Sequence, residues 1–376
     1  MKDRLLNVSP FIVMDIIKRT TELENVIHFE VGQPDLPPTE KVKTALMEIS
    51  DSLAFPYTES LGIAPLREKI AEFYKKYYGL DIPINRILVT PGTSGAFLIA
   101  YAITLNNGEK IALSDPSYPC YKNFSYMLDI MPEFIPVDSS TNYEMRVEHI
   151  KELKDIKTVQ ISSPSNPIGN IYKNQTLKDL VEYCVRNGIN FISDEIYHGL
   201  TYTGEKVSSA LEFSDNVIVI NGFSKYFCMP GIRLGWMIMP EHLVRKAEIL
   251  MQNLFISASS VSQQIGLYAF DYEHLERCRD MFQERRDFLY KELSDIFKVD
   301  VVPEGAFYIW VDVSKYTDNS FEFAKELLEN IQVAVTPGVD FGKYNTHKYL
   351  RFAYTRNIDH MKEGIERIKS YLQSKK

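Results

Sequence analysis

The pattern of hydrophobic and polar positions predicts helices and short strands in alternation along most of the chain. Leu66, Ile70, Phe73 and Tyr77 recur at helical spacing and predict one amphipathic helix. Short runs rich in β-branched residues follow this helix at intervals and are predicted as strands. The strand predictions cover residues 87–90, 110–113, 158–162, 191–193, 217–220 and 234–239.

Helical patterns separate most of these strands, including residues 95–105 and 176–187. This alternation is typical of crossover units in a mostly parallel sheet. Beyond about residue 280 the pattern changes to a long helix containing Phe288 and Phe297, followed by strands near residues 307–311 and 333–335. A change of this kind indicates a second folding unit.

We therefore predict an α/β protein with a large domain, in which helices flank a mostly parallel sheet, and a smaller α+β domain. The smaller domain is expected to combine the C-terminal part of the chain with its N-terminal arm. The predicted bounds are residues 1–40 for the arm, 41–282 for the large domain and 283–376 for the C-terminal small domain.

The composition limits the kinds of molecule that the protein is expected to bind. The 376 residues, 45% of them hydrophobic, are enough for two packed cores. The net charge of -8, with Lys and Arg spread along the chain, argues against nucleic acid or an anionic membrane surface as a partner. No apolar run approaches the ~18 residues of a membrane span, and the N-terminus does not resemble a secretory signal. We predict a cytoplasmic protein that acts on small molecules.

The reactive residue types exclude several kinds of site. Four cysteines lie far apart without a C-x-x-C pair, which fits reduced thiols better than a disulfide framework or a zinc site. The seven histidines are dispersed, and neither H-E-x-x-H nor G-x-S-x-G occurs, so no metal site and no serine hydrolase site is predicted. A Walker A loop and a G-x-G-x-x-G fingerprint are also absent.

Polar residues that follow predicted strands are the first candidates for chemistry, because open α/β sheets bind ligands at the carboxyl ends of their strands. Lys225 follows the strand at 217–220 within the segment Asn-Gly-Phe-Ser-Lys. A lysine in a loop is usually a solvated surface residue. Among small residues at a strand end, however, its amine can be desolvated and become a nucleophile toward carbonyl carbon.

Two further strand ends carry suggestive groups. Asp194 comes at the end of the strand at 191–193. A carboxylate at such a position is often a cap or a metal ligand, and it can also bind a protonated pyridine nitrogen. The segment 90–96, Thr-Pro-Gly-Thr-Ser-Gly-Ala, lies between a strand and a helix. Free N–H groups and small residues at a helix start can bind phosphate, although such residues also serve as ordinary caps.

Three motifs in a fixed order carry a family resemblance. They are Ser-Pro-Ser-Asn-Pro-Ile-Gly at 163–169, Ser-Asp-Glu-Ile-Tyr at 193–197, and Ser224-Lys225 with Arg233 eight positions on. The chain resembles the aspartate aminotransferase superfamily, the class I and II aminotransferases of fold type I, from Gly32 to Ala353. The resemblance implies a pyridoxal phosphate enzyme that moves an amino group from a small L-amino acid to a 2-oxo acid, with 2-oxoglutarate as the expected acceptor.

The resemblance also implies roles for residues around the cofactor ring. Lys225 would hold the cofactor as a Schiff base and then shuttle a proton at the substrate α-carbon. Asp194 would pair with the pyridine nitrogen. Tyr197 and Asn166 would bind the phenolic oxygen of the ring, and Tyr118 would stack on its face.

Further residues are implied to bind the phosphate. They are Gly92, Thr93 and Ser94, through backbone groups, and Arg233, through its guanidinium. Tyr57 matches a tyrosine that relatives extend to the same phosphate from the neighbouring subunit. The resemblance therefore implies a homodimer with shared active sites, because a two-fold interface repeats each such contact.

The substrate is implied to bind through its α-carboxylate. Arg351 would make two parallel N–H···O bonds to it, with Asn166 and a backbone contact from Gly32 completing the site. We expect the side-chain pocket to include the N-terminal arm around Phe11 and Ile12, together with segments of the partner subunit.

The chain departs from the family pattern at two positions. Many relatives have a hydroxyl residue three positions before the lysine, where this chain has Gly222, and a serine two positions after the carboxylate arginine, where it has Ala353. No residue can be assigned to a distal substrate carboxylate, so the sequence leaves open whether aspartate is the substrate.

Two alternative functions remain open on the sequence. One is a carbon–sulfur β-lyase, which shares the cofactor machinery and the carboxylate arginine. The other is a noncatalytic pyridoxal-phosphate-binding regulator, which is expected to carry an appended DNA-binding domain.

Overall fold

The computed structural model describes residues 4–52 and 55–375. The helices of this part of the chain are α1 (Ile12–Thr20), α2 (Lys41–Ser52), α3 (Ala64–Tyr78), α4 (Gly92–Thr104), α5 (Cys120–Met127), α6 (Val147–Lys151), α7 (Asn174–Arg186), α8 (Glu241–Leu254), α9 (Ser260–Leu267), α10 (Tyr272–Ser294), α11 (Ser320–Ile331) and α12 (Ile358–Ser374). No helix among them is both long and apolar enough to cross a membrane.

The strands of the same residues form one large and two small sheets. They are β1 (Ile27–His28), β2 (Ile87–Thr90), β3 (Lys110–Asp115), β4 (Met131–Pro136), β5 (Ile156–Ser162), β6 (Asn190–Asp194), β7 (Ile218–Gly222), β8 (Gly235–Ile238), β9 (Tyr308–Asp312), β10 (Val333–Ala334), β11 (Thr336–Pro337) and β12 (Tyr349–Ala353).

The large sheet has the strand order β2-β8-β7-β6-β5-β3-β4. β3 to β7 pair in parallel, and β8 is antiparallel to both of its neighbours, β2 and β7. Since β2 and β7 both oppose β8, β2 runs in the same direction as the parallel strands. Their carboxyl ends therefore meet at one edge of the sheet. The predicted α/β class, with a mostly parallel sheet flanked by helices, is confirmed.

The predicted strands of the large sheet are all present, with ends that differ by at most two residues. β4 was not predicted, because its sequence Met-Pro-Glu-Phe-Ile-Pro contains two prolines and no clear alternation. It lies at the edge of the sheet, where proline is tolerated. The predicted helix at 95–105 begins earlier, at Gly92, and Phe297 lies beyond the end of α10 at Ser294.

The smaller sheets join distant parts of the chain. β9, β12 and β11 form an antiparallel sheet, and β1 pairs in parallel with β10. The N-terminal arm therefore contacts the C-terminal part directly, at Ile27 and Val333. The domain bounds at residues 40 and 282 remain predictions, and α10 continues through residue 282.

Facing glycines on β7 and β8 allow the first turn of α4 to rest directly on the sheet. Gly222 pairs with Gly235 across the two strands. A Cβ atom added at Gly235 would lie 2.8 Å from the carbonyl carbon of Gly92 and 2.9 Å from the amide nitrogen of Thr93. Only a residue without a side chain permits this approach, so the position of the helix start depends on Gly235.

We predict that Gly235→Ala lowers the free energy of unfolding by about 1–3 kcal/mol, because the new methyl group must displace the first turn of α4. Urea denaturation followed by circular dichroism measures the change. Gly231→Ala is the control, since a Cβ atom at Gly231 meets no atom of the described residues within 4 Å. Equal stability of the two variants would contradict the proposed dependence.

Candidate active site

A cavity of about 440 Å³ opens at the carboxyl edge of the large sheet. This volume is in the usual range for small-molecule sites. Its lining includes nine of the residues predicted from the sequence, namely Phe11, Gly32, Thr93, Tyr118, Asn166, Asp194, Tyr197, Lys225 and Arg351. Six of them follow or end strands of the large sheet, so the topology brings together residues that are far apart in sequence.

Lys225 projects into this cavity from the turn that follows β7. Its Nζ atom donates a 2.6 Å hydrogen bond to the carbonyl oxygen of Gly32. Burial, followed by the positive charges of Arg351 and Arg233, lowers the pKa of Lys225 to about 8, and only Asp194 opposes this shift. A larger fraction of the amine is therefore neutral near pH 7 than for an exposed lysine.

An aromatic cluster fixes the turn that carries Lys225. The rings of Phe223 and Phe227 lie 4.8 Å apart, and both pack against Trp236. The amide of Cys228 donates to the carbonyl oxygen of Lys225 at 3.1 Å. The lysine backbone is therefore held on a dense core, and its side chain is directed by that core toward the cavity.

Asp194 occupies the last position of β6. Its Oδ1 atom accepts a 3.1 Å hydrogen bond from the amide of Ile196, and the hydroxyl of Tyr121 donates to Oδ2. Burial raises the pKa of Asp194 to about 6, although both hydrogen bonds and Lys225 oppose the rise. The carboxylate is therefore mostly ionised at neutral pH and is held in one orientation.

Tyr121 and Tyr308 are site residues that the sequence did not reveal. Tyr121 lies on α5, three residues after Tyr118, and their rings meet edge to face at 5.3 Å. The hydroxyl of Tyr308, on β9, lies 2.9 Å from the hydroxyl of Tyr197. The position of Tyr121 three residues after Tyr118, in the first turn of α5, was a usable signal for the first residue. Tyr308 lies 111 positions from Tyr197 in the sequence, and no local pattern marks it as a site residue.

Arg351 is buried on β12 and is held from several sides. Its guanidinium lies 4.3 Å from the centroid of the Tyr308 ring and 4.8 Å from that of Phe341. Nη1 donates to Oδ1 of Asn166 at 2.9 Å, and Nη2 donates to the carbonyl oxygen of Glu30 at 2.7 Å. The Nε atom is buried without a hydrogen-bond partner among the described residues. An incoming carboxylate would satisfy this N–H group.

Gly32 is confined by its neighbours in the cavity. A Cβ atom added there would overlap the hydroxyl of Tyr308, so only glycine fits between Tyr308 and the amine of Lys225. The backbone of Gly32 is therefore exposed to the cavity.

An anion cradle lies at the start of α4. The guanidinium of Arg233 is so close to Gly92 that a Cβ atom added to the glycine would lie 2.7 Å from Nη2. Arg233 has a φ of +55°, a left-handed conformation that a non-glycine residue rarely adopts. The free N–H groups of the first helical turn, from Gly92 through Ser94, combine with this guanidinium to favour a bound anion.

Five predicted residues do not line this cavity in the single chain: Gly92, Ser94 and Arg233, which form the anion cradle, and Tyr57 and Ile12. Tyr57 is 79% exposed and does not line it. Ile12 lines a neighbouring cavity on the other side of α1, whereas Phe11 lines the site itself.

The residues present fit pyridoxal phosphate. The anion cradle suits the phosphate, the carboxylate of Asp194 suits a protonated ring nitrogen, and the aromatic side chain of Tyr118 suits the ring face. Lys225 lies in the same cavity with a depressed pKa, and the unpaired Nε of Arg351 suits a substrate carboxylate.

Comparisons with known proteins agree on one family. The family model for aminotransferase class I and II matches residues 24–368. The chain is 37% identical to the (5-formylfuran-3-yl)methyl phosphate transaminase of Methanocaldococcus jannaschii, with 99% of each chain covered. It is 31% identical to the valine–pyruvate aminotransferase of Mycobacterium tuberculosis, with 100% of each chain covered.

A solved structure of an aminotransferase from Mycobacterium tuberculosis superposes with a TM-score of 0.96 at 31% identity, covering 100% of this chain and 99% of the other. The relatives named here are transaminases, which favours transamination over the β-lyase and regulator alternatives. The chain belongs to the class I and II aminotransferase family and is a transaminase that depends on pyridoxal phosphate.

Proposed function

We propose that this transaminase moves an amino group from a small L-amino acid to a 2-oxo acid, with Lys225 as the covalent attachment site of the cofactor. The observation that carries the proposal is the position of the Lys225 amine. It lies in one cavity with Asp194 and Arg351, and its pKa is lowered to about 8. A partly neutral amine is the form that attacks an aldehyde carbon.

When bound, pyridoxal phosphate supplies an electron-withdrawing ring that stabilises negative charge at the substrate α-carbon. Asp194 would keep a proton on the ring nitrogen, because its ionised carboxylate is oriented by Tyr121 and Ile196. Tyr197 and Asn166 would hold the phenolic oxygen.

The remaining cofactor contacts are proposed for the cavity lining and for the anion cradle at the start of α4. Tyr118 would cover one ring face. The backbone of Gly92, Thr93 and Ser94 and the guanidinium of Arg233 would bind the phosphate. Thr93 approaches the position where relatives have a hydroxyl residue, since a Cβ atom at Gly222 would lie 3.2 Å from its Cγ2 atom.

Arg351, Asn166 and the backbone of Gly32 would hold the substrate α-carboxylate and thereby orient the bond from the α-carbon to its hydrogen. Because Arg351 is already fixed by Asn166 and Glu30, little conformational entropy is lost on binding. Lys225 would then take the proton from the α-carbon, since its depressed pKa favours a neutral acceptor.

The identity of the amino acceptor is a separate question. 2-Oxoglutarate is the acceptor expected from the sequence. The names of two relatives add pyruvate and (5-formylfuran-3-yl)methyl phosphate to the compounds that should be assayed.

The proposed assembly is a homodimer with shared active sites, and the proposed location is the cytoplasm. The exposure of Tyr57 supports the homodimer, because its side chain is available to a neighbouring subunit. The four cysteines, which are all free thiols, support the cytoplasmic location.

The test of the proposed function is an amino acid panel assayed with each acceptor, with the new amino product detected by mass spectrometry. Transfer of the amino group is the expected result. Release of ammonia and pyruvate from a donor without any transferred amino group would show β-elimination instead.

We predict that Lys225→Ala retains the cofactor noncovalently and loses turnover by about 1,000-fold or more, because both covalent attachment and proton transfer depend on the amine. Borohydride reduction followed by peptide mapping locates the attachment site, and steady-state assays measure turnover. Lys246→Ala, on the exposed surface of α8, should remain active. Near-normal activity in Lys225→Ala would refute the assignment.

The rate at which the apoenzyme recombines with pyridoxal phosphate should rise with pH and level off above a midpoint near 8. A lysine is neutral above its pKa, and the pKa of Lys225 is lowered to about 8, so the nucleophilic fraction grows through this range. Stopped-flow absorbance measures the rate. A midpoint near 10 would show that the amine is not desolvated in the free enzyme.

Tyr57→Phe is expected to raise the dissociation constant of pyridoxal phosphate by roughly 10-fold, through loss of one hydrogen bond to a charged group. Folding should not change, because the side chain is 79% exposed in the single chain. Equilibrium dialysis of the apoenzyme, combined with sedimentation, gives the affinity and the assembly state. Tyr290→Phe on α10 serves as the control. An unchanged affinity, or a monomer with full activity, contradicts the shared site.

A further inference from the structure

One wall of the active-site cavity is apolar. It is formed by α1 and the residue before it, through the side chains of Phe11, Val13, Met14 and Ile17. The Phe11 ring meets the Tyr118 ring edge to face at 6.0 Å, so this wall adjoins the proposed cofactor face. A substrate side chain that leaves the α-carbon toward this wall meets hydrocarbon.

α1 is held over the cavity by a buried carboxylate. Asp340 accepts hydrogen bonds from the amides of Ile12 at 3.1 Å and Val13 at 3.4 Å, which are free N–H groups at the helix start. A second tie joins the amide of Ser9 to Oδ1 of Asn123 at 3.1 Å. The apolar wall is therefore a fixed part of the site in this structure.

The charged side chains that line the cavity, within the described residues, are Asp194, Lys225 and Arg351. All three have roles in the proposed function, at the cofactor or at the α-carboxylate. Arg19 and Lys122 lie on the other side of α1, where they line the neighbouring cavity. Arg19 is paired there with Glu329 at 2.8 Å.

We propose that the site selects amino acids whose side chains are uncharged and apolar, such as alanine, leucine, methionine and phenylalanine, over aspartate and glutamate. The inference rests on the proposed function. A second carboxylate in the substrate would lose its water against Val13 and Ile17 without gaining a cation from the described residues of this chain. The Gln33 side chain, at the exposed rim, offers only a neutral amide. By the same argument, 2-oxoglutarate should be a poorer acceptor than pyruvate.

The donor half-reaction tests this selectivity without any acceptor. The holoenzyme is mixed with each amino acid, and the change in cofactor absorbance gives a second-order rate constant for each donor. Leucine is expected to exceed aspartate by at least about 100-fold, because an unpaired charge in an apolar pocket is strongly disfavoured. Aspartate reacting as fast as leucine would overturn the inference and leave the transaminase function intact. Failure of every amino acid would instead overturn the proposed function.

A pair of variants tests the apolar wall itself. Met14 lines the cavity and is 56% exposed, so it tolerates a longer polar residue. Met14→Lys should lower the ratio of leucine to aspartate rate constants at least about 10-fold relative to Met14→Gln, which has similar size without charge. Asp15→Asn adds the same unit of charge on the face of α1 that lines the other cavity, and should leave the ratio unchanged. If the ratio of leucine to aspartate rate constants is equal in the Lys and Gln variants, α1 does not contact the substrate side chain and the inference is wrong.

Binding of unreactive carboxylates gives a readout that does not depend on turnover. 4-Methylpentanoate is leucine without its amino group, and succinate is aspartate without its amino group. Isothermal titration calorimetry of the holoenzyme should find tighter binding of 4-methylpentanoate, and Met14→Lys should narrow the difference. Tighter binding of succinate by the unsubstituted protein would indicate a cation in the side-chain site and would overturn the inference.

Discussion

The active site depends on the balance of three ionisable groups in one cavity. Lys225 and Asp194 are buried together, so the charge of each shifts the pKa of the other, and the charge of Arg351 lowers the pKa of Lys225 further. Arg351 disfavours a second positive charge on Lys225, while Asp194 favours it. Removing Arg351 or Asp194 would therefore change the pKa of Lys225. The surrounding fold orients each group, through the aromatic cluster below Lys225, the hydrogen bonds of Asp194 and those of Arg351.

Much of this arrangement could be predicted from the sequence, because the informative residues lie in short local segments. Asp194 ends β6 and Lys225 lies three residues after β7, and the topology of a parallel sheet places such positions at one edge. The start of α4 was recognisable from its small residues. The glycine at 222 looked like a missing phosphate contact in the sequence. In the structure it is one of two facing glycines beneath the helix start.

Other features depended on tertiary contacts that no local pattern encodes. Tyr308 meets Tyr197 only because β9 lies beside the cavity, and Asp340 meets α1 across 328 positions of sequence. β4 was missed for a different reason, since prolines at a sheet edge remove the alternation by which strands are recognised. The apolar wall also depended on tertiary contacts, because the proposed role of α1 follows from its position over the cavity and not from its sequence.

The attachment of α1 separates chemistry from selectivity within the molecule. The residues proposed for the cofactor and the α-carboxylate lie largely on strand ends and the loops that follow them. The proposed wall for the substrate side chain is instead mainly the nine-residue helix α1, whose first amides bind the carboxylate of Asp340. Mutations on α1 can therefore change which amino acids are accepted without altering the proton-transfer machinery. Such a division allows a lineage to acquire new substrates through small changes in one peripheral segment while its reaction stays the same.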